Sequence, residues 1–346
     1  MPAEASFGTG ILVVLVGAFA NGSFGLMLKY AKSWKWEHLW LTYSVFAMLI
    51  IPWTLGFATV PELLTVLRSA STRDLSVVFV FGFGWGIGAV LYGLALKLVG
   101  MALSYSIVVG LTAAIGSLAP LVLVHPQEVF TLRGRVIISG VLMIVVGVVF
   151  CAWAGHLKEK VLASTSVGAH PSSERENFPL GLGVAVLSGI LSPMLNLSFA
   201  YGTPLTRLAV GHGTDPLFAA NIIWVVALLG GFLVNTGYCA YLISSGGSWA
   251  LMSIERFHYL LGLIMGVLWS AGIVFYGIGA SKLGDLAAVV GWPVMSSMAI
   301  MSANLWGAIA GEWADTGRKP RIVMWLSVVV LGAAMFVVGW GDRLGR

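Results

Sequence analysis

Ten long apolar runs constrain this chain more than any other feature of its sequence. A helix that crosses the roughly 30 Å hydrocarbon layer of a membrane needs about 20 apolar residues. Such runs lie at about 8–29, 38–60, 75–97, 100–124, 134–154, 179–203, 214–243, 258–281, 284–310 and 321–341. The sequence therefore predicts an all-α, polytopic membrane protein with ten transmembrane helices, called span 1 to span 10 below.

The composition excludes a water-soluble protein. Only 10% of the 346 residues are charged, whereas 58% are hydrophobic. A soluble domain usually carries about a quarter charged residues, so this chain cannot cover its apolar residues with a water-facing surface. A cytosolic enzyme and a nucleic-acid binder are excluded, and the lipid bilayer is the expected surrounding.

The longest polar stretch divides the chain into two halves of five spans each. It covers residues 156–178 and contains most of the charges between span 5 and span 6. We therefore predict a first five-helix repeat at 1–155, a polar linker at 156–178 and a second five-helix repeat at 179–346.

The two halves share a spaced motif. Trp85 and Tyr92 of span 3 belong to the pattern W-x2-G-x3-Y-G-x6-G, and the same pattern recurs in span 8 with Trp269 and Tyr276, 184 positions later. An N-x-S-F motif is likewise present in span 1 and in span 6. Because five is an odd number, the second unit enters the membrane upside down, and the spacing predicts two inverted five-helix repeats.

Inverted repeats favour a transporter. They create a pseudo-two-fold axis in the membrane plane and a shared site near the midplane that can open to either side, the arrangement called alternating access. Duplication retained only for packing is the alternative interpretation. We find no catalytic motif, since Lys282 stands where the intramembrane aspartyl protease motif around Asp285 requires glycine. The histidines lack metal-ligand spacing, so the sequence predicts no enzyme, no metal site and no organic cofactor.

Polar and aromatic residues inside the spans are the candidates for binding. Burial of an unpaired polar group in hydrocarbon costs several kcal/mol, and rings with scattered amides suit a neutral, polyhydroxylated ligand. Hydrogen bonding from helix to helix is the alternative role. The candidate substrate-binding residues are Asn21, Trp85, Tyr92, Asn196, Asn235, Trp269 and Tyr276.

Few charges lie near the predicted spans. Lys29, Glu37 and Asp285 stand close to span ends, and an ionisable group inside a membrane is functional by default. We therefore expect ion coupling at these three residues. The basic residues divide eleven against eight between the two sets of loops, which favours both termini outside.

Six stretches carry motifs with irregular spacing: K-x2-K-x-W-x-W-E-x2-W from Lys29 to Trp40, Trp85 to Gly93, Gly110 to Pro120, Asp215 to Cys239, Trp269 to Gly277, and Trp292 to Pro320. These stretches resemble the L-rhamnose–proton symporter family, a branch of the drug/metabolite transporter superfamily. The chain departs from the family pattern at Ala288, where members carry an aspartate, and at Tyr30, where they carry a second lysine.

The resemblance implies a carrier of the bacterial cytoplasmic (inner) membrane that imports L-rhamnose or a similar monosaccharide with a proton. Sodium stays open as the coupling ion, and so do a monomer and a homodimer. An exporter of small metabolites or drugs from the same superfamily is the alternative function.

Overall fold

The structure is a computed structural model that describes residues 3–31, 33–99, 101–165, 178–311, 313–314 and 316–344. Within these ranges only the backbone is described at residues 3–6, 29, 97, 101–103, 105–106, 159 and 162–165. The described residues form helices and turns without a strand. Ten helical segments are long and apolar enough to cross a membrane, which confirms the predicted class and the number of spans.

Seven spans are single α-helices, and the other three contain a change of helix type or a break. The helices of spans 3, 4, 5, 7, 8 and 10 are Thr72–Val99, Met101–Val124, Leu132–Thr165, Asn221–Ser245, Phe257–Leu283 and Arg318–Arg343. Span 9 is also continuous, from Ala287 to Ile309, with Pro293 inside it. Span 1 is the α-helix Ala3–Ser23 followed by a 3₁₀ segment, Phe24–Lys29. Span 2 consists of Trp36–Ser44, a π-helical turn at Val45–Ile50, and Ile51–Thr59. Span 6 comprises Phe178–Leu191, Met194–Tyr201 and Thr203–Gly211. Short helices occur at Leu63–Ser69, Pro126–Glu128 and Leu251–Ile254.

Span 5 extends beyond its predicted apolar run. Its helix continues to Thr165, through residues 156–165 of the predicted linker. This segment is rich in Leu, Lys, Glu and Ala, which are good helix formers, so loss of hydrophobicity does not end the helix. The rest of the predicted linker up to Asn177 lies outside the described residues.

Span 6 is interrupted near its middle, just before the N-x-S-F motif. Pro193 has no backbone N–H and disfavours helical geometry at Ser192. The break lies against Gly88 of span 3, where a Cβ atom would be only 2.8 Å from the Ser192 nitrogen. The carbonyl of Gly88 accepts a hydrogen bond from the Ser188 hydroxyl at 2.8 Å. Glycine at position 88 thus allows the broken helix to approach span 3 closely.

The packing of the helices follows the same correspondence as the repeated motifs. Span 1 packs against spans 8 and 9, and span 6 packs against spans 3 and 4. Span 3 packs against span 7, and span 8 packs against span 2. Span 1 corresponds to span 6, span 2 to span 7, and so on. When both spans of one of these pairs are replaced by their counterparts, the result is another pair that packs together. Spans 5 and 10, which correspond to each other, also pack against each other.

Burial differs between the two halves of span 9. We call the end of the bundle at which span 1 ends and span 6 begins the linker face and the other end the opposite face. Every residue from Ala287 to Met295, the half of span 9 near the opposite face, is buried. Most residues of the other half, 296–309, are half-buried or exposed. Span 9 is therefore packed more tightly near the opposite face.

Candidate functional site

Two tryptophans of the repeated motif meet inside the bundle. Trp85 and Trp269 lie near the middle of spans 3 and 8, and their rings stack with centroids 5.4 Å apart and planes inclined by 26°. An offset stack at this separation is favourable for aromatic rings. Because the two positions correspond in the repeat, the stack lies where the two units join.

Three further rings enlarge this stack into a central aromatic cluster of Phe24, Trp40, Tyr43, Trp85 and Trp269. The Tyr43 ring meets Trp269 edge-on at 6.1 Å and lies 4.9 Å from Trp40. Phe24 stacks on Tyr43 at 5.6 Å. Our sequence-based set of site residues omitted Phe24, Trp40 and Tyr43. The concentration of tryptophan at the start of span 2 could have indicated that Trp40 belongs to an aromatic cluster.

Trp85 lies inside the bundle but is only half-buried. It contacts span 8 through Trp269 and span 7 through Gly231, where a Cβ atom would lie 2.5 Å from the Trp85 ring. A ring held between two other spans does not face lipid. The exposed part of Trp85 is therefore available inside the bundle.

Asn21 lies beside the tryptophan stack. Its amide nitrogen donates a hydrogen bond of 3.3 Å to the backbone carbonyl of Trp269. Gly272 makes this approach possible, since a Cβ atom there would be 2.6 Å from the Asn21 Cβ. Asn21 is half-buried, and among the described residues nothing donates to its side-chain oxygen. This oxygen can accept a hydrogen bond from a ligand hydroxyl.

Tyr92 is located one to two turns beyond Trp85 toward the linker face. It is half-buried and packs beside Ala95, Val108 and Ala185. Its hydroxyl makes no hydrogen bond within the part of the chain that the structure describes. Tyr92 and Asn21 are therefore not bonded to each other.

The corresponding pair in the second repeat is closed. Tyr276 donates its hydroxyl proton to the Asn196 side-chain oxygen at 2.6 Å. The Asn196 amide nitrogen donates to the carbonyls of Gly116 at 2.7 Å and Ala288 at 2.9 Å. Asn196 and Tyr276 are both fully buried. One amide thus joins spans 4, 6, 8 and 9, and in this conformation neither side chain is available to a ligand.

Aromatic rings surround Tyr276 on several sides. Phe199, Trp292 and Trp224 lie with ring centroids 4.9, 5.7 and 6.2 Å from it. The indole N–H groups of Trp224 and Trp292 are buried and have no acceptor among the described residues. Such groups carry a desolvation cost, and both flank the Tyr276–Asn196 bond.

Asn235 is fully buried and fully engaged. Its oxygen accepts a hydrogen bond from the Trp40 indole at 3.0 Å, and its nitrogen donates to the Gly231 carbonyl at 2.9 Å. Asn235 therefore fixes the orientation of Trp40 in the central aromatic cluster, and its role there is to position that ring.

The three residues predicted for ion coupling are placed differently. Glu37 is half-buried at the start of span 2, within electrostatic range of Cys239 on span 7. Asp285 is exposed at the opposite face. The side chain of Lys29 lies outside the described residues.

A cavity of about 880 Å³ opens at the opposite face. It lies among the ends of spans 4, 6 and 8 and the starts of spans 7 and 9, with Arg207 and Asp285 in its lining. Phe199, Gly277 and Ala288, neighbours of the Tyr276–Asn196 pair, also line it. The buried pair therefore separates this cavity from the central aromatic cluster.

Comparison with known proteins gives a match over nearly the whole chain. The family model described as L-rhamnose-proton symport protein (RhaT) matches residues 4–343. A relative from Citrobacter koseri is 30% identical over 341 residues, which cover 96% of this chain and 97% of the relative. Relatives from Klebsiella pneumoniae and Mannheimia succiniciproducens are 31% and 28% identical, with the same shares covered. Each of these relatives is named L-rhamnose-proton symporter.

Proposed function

The chain belongs to the L-rhamnose–proton symport protein family, and on that premise we propose that it imports L-rhamnose, or a similar monosaccharide, together with a proton. Family membership confirms the prediction of a carrier and not an enzyme, and gives the exporter alternative no support. The observation that carries the proposal for the site is the stack of Trp85 on Trp269, with Trp85 only half-buried inside the bundle.

The sugar binds against the central aromatic cluster. A deoxy-hexose has C–H faces that pack on aromatic rings and hydroxyls that need hydrogen-bond partners, the mixture typical of small-molecule sites. The exposed part of Trp85 offers the ring surface. The oxygen of Asn21 and the hydroxyl of Tyr92 face the same open half of the bundle and supply polar partners. Asn235 contributes indirectly, by holding Trp40.

Transport proceeds by alternating access of two inverted repeats. The exchange of helix pairs between spans 1–5 and spans 6–10 supports this symmetry. Transporters of this type often have discontinuous helices at their sites, and span 6 breaks just before Asn196.

The Tyr276–Asn196 bond is the closed gate toward the opposite face. It is buried and lies between the central cluster and the cavity at that face. Tyr92 and Asn21 form the equivalent gate toward the linker face, and this gate is open. When the carrier turns over, Tyr92 approaches Asn21 while Tyr276 leaves Asn196, so that the second pair becomes available to the sugar.

Glu37 is the favoured proton-coupling residue of the three candidates, since it is half-buried at the open face. Asp285 and Lys29 are the remaining candidates, and sodium is the alternative ion. We place the carrier in the bacterial cytoplasmic membrane with both termini outside, so that the linker face is cytoplasmic. One chain carries a complete site, and the carrier acts as a monomer or as a homodimer of independent sites.

Uptake of labelled L-rhamnose in cells that lack other rhamnose transporters tests the proposal. We expect uptake that a protonophore abolishes. Uptake that ignores the proton gradient would refute symport with a proton, and a repeat in sodium-free medium would then test sodium. No uptake of rhamnose or of related monosaccharides by a well-expressed carrier would refute the sugar assignment.

A further inference from the structure

A groove of about 370 Å³ lies on the outside of the bundle between span 1 and span 10. Both spans pack against span 9, and buried Val294 of span 9 belongs to the groove. Ile11 and Leu15 line the groove on span 1, and Gly332, Met335 and Gly339 line it on span 10. These positions recur at the helical spacing of one face on each span.

Neighbouring helices leave the groove unfilled. A Cβ atom at Gly8, Gly332 or Gly339 would meet nothing within 4 Å, whereas one at Gly10 would lie 2.9 Å from the Gly279 carbonyl of span 8. Span 1 is thus tightly packed on the side of span 8 and open on the side of span 10. In a membrane, the hydrocarbon chains of lipids occupy such a surface.

The groove ends at a cation. Arg343 lines it at the opposite face, and the guanidinium carbon lies 5.5 Å from the centroid of the Phe7 ring. Arg343 is exposed, and no carboxylate among the described residues pairs with it. Its neighbour Asp342 is directed away from the groove, being buried and paired with Arg133 of span 5.

The length of the groove matches one leaflet. From Gly332 to Arg343 the helix rises by about 16 Å at 1.5 Å per residue. Half of the roughly 30 Å hydrocarbon layer is about 15 Å. The groove therefore reaches from the headgroup boundary to about the bilayer midplane.

We propose that this groove is a binding site for one anionic phospholipid, whose acyl chain lies along Gly332 and Gly339 and whose phosphate contacts Arg343. The inference rests on the shape and charge of the outer surface and does not depend on which solute the carrier moves. A basic residue near a membrane surface favours an anionic lipid by about fivefold. An uncharged headgroup of equal chain length lacks this contact.

The test is lipid retention by the purified carrier. The protein is exchanged into detergent with equal amounts of phosphatidylglycerol and phosphatidylcholine of the same chains, and the bound lipids are counted by native mass spectrometry. We expect about fivefold preference for phosphatidylglycerol. Arg343→Gln should remove the preference, whereas Arg321→Gln, an exposed arginine at the other end of the same helix, should retain it.

Gly332→Leu tests the acyl half of the site, because the added side chain fills the groove. It should reduce retention of both lipids, and Gly183→Leu, at another glycine with open space around it, should not. Equal retention of both lipids by the wild type, or a preference that persists in Arg343→Gln, overturns the proposal. Thermal stabilisation by inorganic phosphate alone, equal to that by phosphatidylglycerol, would show a simple anion site and also overturn it.

Discussion

The two repeats carry the same tyrosine and asparagine but hold them in different ways. Tyr276 and Asn196 are fully buried and joined by a hydrogen bond of 2.6 Å. Tyr92 is half-buried without such a bond, and Asn21 instead makes a 3.3 Å bond to the Trp269 carbonyl. Because the residue types are identical, the difference lies in how the surrounding spans hold them. One pair is engaged in this conformation while its counterpart is not.

Replacement of the two asparagines should give the largest difference in stability between the two pairs. Asn196→Leu leaves the Tyr276 hydroxyl and the Gly116 carbonyl without partners, since Pro120 has no N–H to offer that carbonyl, so we expect a loss of about 3 kcal/mol in the free energy of unfolding. Asn21→Leu removes one long bond at a half-buried position and should cost less than about 1 kcal/mol. Thermal unfolding of the purified variants measures both. Equal losses would contradict the assignment of a closed and an open gate.

Tyr276→Phe should open the closed face. The change leaves the Asn196 oxygen buried without a donor only while that face is closed, which disfavours the closed state by about 1–3 kcal/mol. A cysteine at Phe24, in the central aromatic cluster beyond the gate, in a background without the native cysteines, should then react about ten times faster with an impermeant maleimide added at the opposite face. Tyr92→Phe is the matched control and should leave the rate unchanged. An unaltered rate in Tyr276→Phe would rule out this gate.

The two tryptophans should behave alike, because each ring supports the other in the stack. Trp85→Leu removes the ring face that contacts the sugar, and Trp269→Leu removes the buried ring that holds Trp85 in place; an aromatic contact contributes about 0.5–1.5 kcal/mol. We expect each variant to raise the KM for L-rhamnose by about fivefold. Trp325→Leu, at an exposed tryptophan of span 10, should not change it. A large effect at only one of the pair would place the sugar within a single repeat.

The smallest effect is expected at Asp285. This carboxylate is exposed at the closed face, and exposed substitutions usually change a free energy by less than about 0.5 kcal/mol. Asp285→Asn should therefore change proton-driven uptake by less than about twofold. Glu37→Gln is the matched variant and should reduce the response of uptake to the proton gradient. The reverse result would move ion coupling to the opposite face.

The sequence predicted the ten spans. Hydrophobic run length determines whether a helix can cross the membrane. The offset of 184 positions selected Trp85 and Trp269 as candidates, and their stacking is a finding of the structure. The end of span 5 was missed because hydrophobicity marks the membrane boundary, whereas helix propensity continues to Thr165.

The sequence could not predict which of the two tyrosine–asparagine pairs is hydrogen-bonded. The N-x-S-F and W-x2-G-x3-Y-G motifs are alike in both halves, so nothing in them distinguishes Asn196 from Asn21. Which pair is bonded depends on how spans 4, 6, 8 and 9 pack together. Of the rings around Tyr276, Trp224 belongs to neither repeated motif. Phe199 is the last residue of the second N-x-S-F motif, but the motif alone does not show that its ring contacts Tyr276.

The two buried indole N–H groups beside Tyr276 bear on the stability of the packing around Asn196. Trp224 and Trp292 have donors without acceptors among the described residues, and each such donor costs about 1–3 kcal/mol. That cost reduces the free-energy advantage of this packing over any conformation in which the two indoles meet acceptors. A protein that satisfied every donor here would hold Tyr276 against Asn196 more firmly.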